Sequence, residues 1–198
     1  NHLDASIILK RMLVDEISGN ENYLEKLENE LKRNGTLPDG EFGKNQLKEI
    51  NAKKEIILEK LKKEDGLLES LKTKWSFEQK IQDLQIPRPD GSFWFLSGKL
   101  CWCNHHENSK ITHLIDIHSS DKETSFDKYM PPYISALAII ANKEDSTFNN
   151  EKQKIDISIF SCNSQEKVKI SVEMTPSESK EKLNEIYSSA YGDENSPP

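Results

Sequence analysis

Apolar side chains are scarce in this 198-residue sequence, at 34% of the total against 31% charged, and the mean hydropathy is −0.75. A compact globule usually carries more apolar material, so this balance fits solvated helices joined to a smaller packed domain. No apolar run approaches the roughly eighteen residues of a membrane span. A basic excess is missing as well. The 27 Lys and Arg residues are outnumbered by 34 Asp and Glu, for a net charge of −7 and a pI of about 5.4. That excludes a global field for holding a phosphate backbone, and it disfavours an anionic membrane surface. Lysines instead alternate with glutamates, as on an ion-paired helix face.

Cysteine is nearly absent. Cys101, Cys103 and Cys162 make an odd set with two members a single residue apart, a poor disulfide framework. A reducing, intracellular setting (cytoplasmic or nuclear) is the expectation. Asn34-Gly35-Thr36 matches a glycosylation acceptor, but the cysteine usage points away from secretion. No secretory leader stands at the start, and a first residue of Asn1 leads us to expect a piece of a longer protein. There is no internal repeat and no motif that names a reaction. A phosphate loop is excluded at Gly35 to Gly40, because Glu41 follows where a lysine is needed and no strand precedes.

What the sequence does contain is a heptad-patterned stretch from Lys44 to Leu84. Leu47, Ile50, Ile57, Leu61, Leu68, Leu71 and Trp75 are separated by three, seven, four, seven, three and four residues. Steps of three and four place them on one stripe of a helix, with missed turns at Lys54 and Glu64. One continuous helix of about forty residues would be about 60 Å long and could not bury its stripe on itself. Two partners are open: the chain's own first helix, giving a hairpin, or a second chain, giving a homo- or hetero-dimeric coiled coil with these residues as its oligomerisation seam.

That first helix covers residues 3 to 18, and its pattern resumes at Leu24, Leu27 and Leu31. Gly19-Asn20 either interrupts a single helix, the preferred reading, or breaks it in two. Asn34 to Gly43 is a turn-rich loop. After Trp75 the helix is expected to run through Phe77, Ile81 and Leu84 to a stop at Ile86-Pro87.

Beyond Pro87 the period becomes two. Ser92 to Leu96 and Leu100 to Cys103 read as a hairpin about Ser97-Gly98-Lys99. Ile111 to His118, Tyr133 to Ala141 (apolar on both faces, hence a central strand), Ile155 to Ile159 and Val168 to Met174 follow as strands. Thr175-Pro176-Ser177-Glu178 is a capping box opening a helix over Leu183 to Tyr191. The predicted fold is therefore α+β. A helical hairpin or coiled coil spans 1–86, a small antiparallel β-rich domain with a C-terminal helix spans 87–191, and a disordered tail covers 192–198.

Three constellations could carry function. Phe93, Trp94, Phe95 and Trp102 gather aromatic surface suited to anchoring a partner protein, or to filling a core. Cys101, Cys103, His105 and His106 could ligate zinc or copper, although their spacing is unlike that of structural zinc sites. Cys103, His113 and Asp116 would make a thiol triad only with a bulge, since His113 and Asp116 fall on opposite faces of one strand. The expectation is a non-enzymatic assembly module that binds protein, needs no cofactor or metal and contacts neither nucleic acid nor membrane. The alternative is a metal-binding or thiol enzyme centred on Cys101, Cys103, His105 and His106.

Overall fold

In a computed structural model, residues 5–105, 111–119, 126–142, 151–163 and 167–191 are described. The expected tail from Gly192 and the side chains of His105 and His106 lie outside these residues. The fold is mixed α+β, with six helices and seven strands among the described residues. In order they are α1 (Ala5–Ile17), α2 (Tyr23–Arg33), α3 (Glu41–Lys62), α4 (Leu67–Thr73), β1 (Trp75–Ser76), β2 (Lys80–Pro87) and β3 (Phe93–Lys99). There follow β4 (Trp102–His105), β5 (Ile111–His118), α5 (Phe126–Ala141), β6 (Gln153–Ser161), β7 (Val168–Met174) and α6 (Pro176–Tyr191). One sheet has the order β1-β4-β5-β6-β7 and a second holds β2 and β3. No described helix is long and apolar enough to cross a membrane.

The chain divides into two compact units, and β5 and β6 each supply residues to both. Among the described residues the first comprises 5–75, 117–119, 159–163 and 167; the second comprises 76–105, 111–116, 126–142, 151–158 and 168–191.

The first unit is built on α1 against α3. Ile8, Leu9, Met12, Leu13 and Ile17 of α1 are buried, as are Ile50, Ile57, Leu58 and Leu61 of α3 and Leu71 of α4. The break at Gly19 is real, so the single interrupted helix is replaced by two. Gly19 takes a left-handed φ of 71°, its N–H bonds to Glu16 O, and Asn20 N–H bonds to Asp15 O. This double closure is the Schellman ending, in which a residue without a Cβ is favoured. Packing of the turn-rich loop on α3 depends on Gly43, because a Cβ there would stand 2.0 Å from the Pro38 carbonyl oxygen.

Both missed seam positions have partners inside this unit. Lys54 is 3% exposed. Its Nζ donates to Glu16 Oε2 and to the Tyr23 hydroxyl, each at 2.8 Å, and pairs with Glu55 at 2.8 Å. Burial disfavours its charge, but these three acceptors outweigh burial and hold its pKa above the ordinary lysine value. Glu64 pairs with Lys167, and Lys60 one turn earlier donates to the carbonyls of Ser161 (2.5 Å) and Cys162 (3.1 Å). These charged residues thus tie α3 and the turn after it to α1, to α2 and to Ser161, Cys162 and Lys167.

Three further expectations are overturned. First, the forty-residue helix does not exist: α3 ends at Lys62, Gly66 turns the chain with a left-handed φ of 64°, and α4 stops at Thr73. Residues 80–87, expected to be helical, form β2. A bulge there admits Gln82 and Asp83, so Ile81 and Leu84 are both buried although three residues apart, which imitates helical spacing. Second, β3 pairs with β2 rather than with β4, which pairs antiparallel with β5. The hairpin turn is Pro89-Asp90-Gly91, not Ser97-Gly98-Lys99. Third, Tyr133 to Ala141 is the second half of α5. Every residue from Ser135 to Ala141 is buried, and a helix buried all round shows no period. Three alanines in that run favour helix.

Strands β5, β6 and β7 and helix α6 lie where the pattern places them, whereas β4 starts at Trp102 and not at Leu100. The capping box closes reciprocally: Thr175 N–H donates to Glu178 Oε2 (2.7 Å) and Glu178 N–H to Thr175 Oγ1 (3.2 Å). Fully buried Ser179 then donates to Leu137 O at 2.7 Å, fastening α6 to α5. In the second unit α6 also packs on β2, and α5 on β2 and β7.

Candidate functional site

Among the described residues of the second unit, the exposed large apolar side chains lie on the β2–β3 ribbon. Aromatic residues favour extended backbone, and Phe93-Trp94-Phe95 starts β3 immediately after the turn. That turn is held by Arg88 N–H to Ser92 O (2.9 Å), Gly91 N–H to Arg88 O (3.1 Å) and Ser92 N–H to Asp90 Oδ1 (2.9 Å). The Ser92 hydroxyl also donates to Asp90 Oδ1 at 2.6 Å, and these bonds hold the Asp90 carboxyl below its ordinary pKa. Antiparallel register sets Pro87 opposite Phe93, Ile86 opposite Trp94, Gln85 opposite Phe95 and Leu84 opposite Leu96.

Strand alternation then divides the ribbon into two faces. Ile81, Leu84 and Ile86 are buried on the inner face, with Trp94 and Leu96 half-buried. The Arg88 guanidinium lies 4.5 Å above the Trp94 ring, and the Tyr187 ring of α6 is 6.2 Å away. This stack fixes the ribbon on α6. The outer face presents Gln85, Pro87, Phe93 and Phe95. Phe93 is 48% exposed and Phe95 64%. Within the bulge, Asp83 N–H donates to Ser97 Oγ (2.8 Å) and Ser97 Oγ to Asp83 Oδ1 (3.2 Å), which ties the two strands together where the register shifts.

The four aromatics expected to act together are therefore separated. Phe93 and Phe95 share the outer face, Trp94 points inward, and Trp102 on β4 is buried edge-to-face against Phe77 at 4.9 Å. Gln85 and Pro87 belong to the exposed face although sequence reading placed them at a helix end. Their signal was Pro89-Asp90-Gly91, a turn that also joins two strands.

The proposed seam lies in the first unit. Ile50, Ile57, Leu61 and Leu71 are buried there, while Leu47, Leu68 and Trp75 are half-buried, the last donating Nε1–H to Ser70 Oγ at 2.9 Å.

Of the two thiol constellations, Cys101, Cys103, His113 and Asp116 fall among the described residues. Cys103 is fully buried, its Sγ–H donates to the Cys101 carbonyl (2.9 Å), and burial pushes its pKa up to about 12. It stands opposite Leu114 on β5, so His113 projects from the other face, where its Nε2 meets Ser158 Oγ at 2.9 Å. Cys101 Sγ lies 3.6 Å from Ser135 Oγ, which also donates to Pro131 O at 2.9 Å. Among the described residues no group of three or more His, Cys, Asp or Glu is placed to hold a metal. Comparison with known protein families and with curated protein sequences returned no match.

Proposed function

We propose that this chain is a non-enzymatic protein-interaction module that docks its partner on the outer face of the β2–β3 ribbon. The observation that carries this reading is the side-by-side exposure of Phe93 and Phe95 on a ribbon whose other face is pinned by the Arg88–Trp94–Tyr187 stack. Burying an exposed phenylalanine contributes about 1.5–3 kcal/mol, so two on a fixed surface make a compact hot spot. Pinning of the ribbon matters because less backbone freedom remains to be lost on binding. Gln85 beside them supplies a polar rim. The non-catalytic half of the reading is supported by Cys103, whose buried thiol stays protonated at neutral pH.

The reading places partner binding on the ribbon and not on the heptad seam, since Ile50, Ile57, Leu61 and Leu71 are already buried within the chain. Its test is capture by the immobilised full chain compared with a Phe93→Ser/Phe95→Ser variant of unchanged circular dichroism. A partner retained by the first and lost by the second supports the proposal. Equal retention by both overturns it.

A further inference from the structure

The edge strand β7 carries a self-complementary charge pattern. Among the described residues its strand neighbour is β6 alone, and no described strand pairs with its other edge. Open edges of this kind are templates for another strand, and natural proteins blunt them with charge. In Val168-Lys169-Ile170-Ser171-Val172-Glu173-Met174 the exposed residues are Lys169, Ser171 and Glu173, while Val172 is buried and Val168, Ile170 and Met174 are half-buried. Ser171 Oγ donates to Asp156 on β6, and Asp156 pairs with Lys154 at 3.4 Å. Neither Lys169 nor Glu173 joins an ion pair among the described residues.

We propose that β7 pairs antiparallel with β7 of a second copy about a two-fold axis at Ser171, joining two five-stranded sheets. Such an axis sets Lys169 opposite the partner's Glu173, Ile170 opposite the partner's Val172 and Val168 opposite the partner's Met174. Ser171 meets its own equivalent. The charged pair occurs twice, once on each side of the axis. Parallel in-register pairing instead sets lysine against lysine and glutamate against glutamate, which opposes association. The charges therefore protect the edge against parallel stacking and select one closed, isologous partner, after which no free β7 edge remains to propagate.

A seven-residue strand pair is a small interface, so dissociation in the micromolar range is expected. The test is sedimentation equilibrium of the full chain up to about 500 μM, bracketing that range, with Lys169→Glu and Glu173→Lys variants. Each reversal turns both cross-strand pairs repulsive and weakens the dimer about 30-fold. The two single variants mixed in equal amounts restore dimers, because each then presents the charge the other lacks, and the double variant K169E/E173K dimerises like the original. A strict monomer over that range overturns the inference. So does a dimer whose strength the reversals leave unchanged, or one abolished by Phe93→Ser/Phe95→Ser alone. The mixing arm separates loss of pairing from loss of folding, since a misfolded variant is not rescued by its complement.

Discussion

The heptad stretch on α3 and the aromatic run on β3 are both patterned apolar surface, yet the chain uses them oppositely. On α3 the apolar stripe is covered by the chain itself, and even its charged interruption at Lys54 is enclosed by Glu16, Tyr23 and Glu55. On β3 alternation sends Trp94 inward to be stacked and turns Phe93 and Phe95 out to solvent. Association surface is set by what lacks an internal partner, and a regular pattern does not reveal that by itself. A stripe can be read at its most regular and still be spent on folding.

The contrast can be broken at its strongest point by Leu61→Ala. Leu61 is fully buried, so truncation should cost about 3 kcal/mol in urea denaturation, through lost transfer energy and the residual cavity. A cost below about 0.5 kcal/mol, the scale of surface changes, would show that the seam is free for other chains. Trp94→Ala comes next, at about 2 kcal/mol, because its half-buried ring joins Arg88 to Tyr187. It should also weaken partner binding by loosening the ribbon.

Glu16→Gln tests whether the buried lysine depends on its carboxylate. Hydrogen bonds from Lys54 and Tyr23 hold the Glu16 pKa below the ordinary carboxylate range. The folded value is thus lower than the unfolded value of about 4.3, so the contribution is complete at neutral pH and lost as pH falls through the folded value. Because Glu16 is part-exposed, the expected loss is only about 1 kcal/mol at pH 7, together with a flatter stability profile below about pH 4.5. An unchanged acid limb would contradict this assignment. Of similar size is Thr175→Ala, at about 1 kcal/mol for the lost cap of α6. Phe95→Ser should change stability by less than about 0.5 kcal/mol while removing docking.

Much of the architecture was legible in the sequence. The capping box at Thr175, the alternation of Ile155 to Ile159 and Val168 to Met174, and the turn signals at Asn34 to Gly43 are local signals with local causes, and each marks the element found there. What escaped had a competing cause. The bulge at Gln82-Asp83 gave a strand the spacing of a helix, and complete burial removed all periodicity from α5. The aromatic site was visible as a cluster, but its division into inward and outward halves depends on register. That register is set by Pro89-Asp90-Gly91, a turn equally compatible with a domain boundary. The ion pairs and the hydrogen bond to Tyr23 that enclose Lys54 bring together residues from three helices, and no spacing rule connects them.

The most direct measurement is a peptide-display selection against the immobilised full chain, run in parallel against the Phe93→Ser/Phe95→Ser variant. The account predicts peptides that bind the original chain, are lost with the variant, and shift the amide resonances of Gln85, Phe93 and Phe95 in NMR titration. Recovery of the same peptides by both proteins, or shifts confined to the helices, would contradict it.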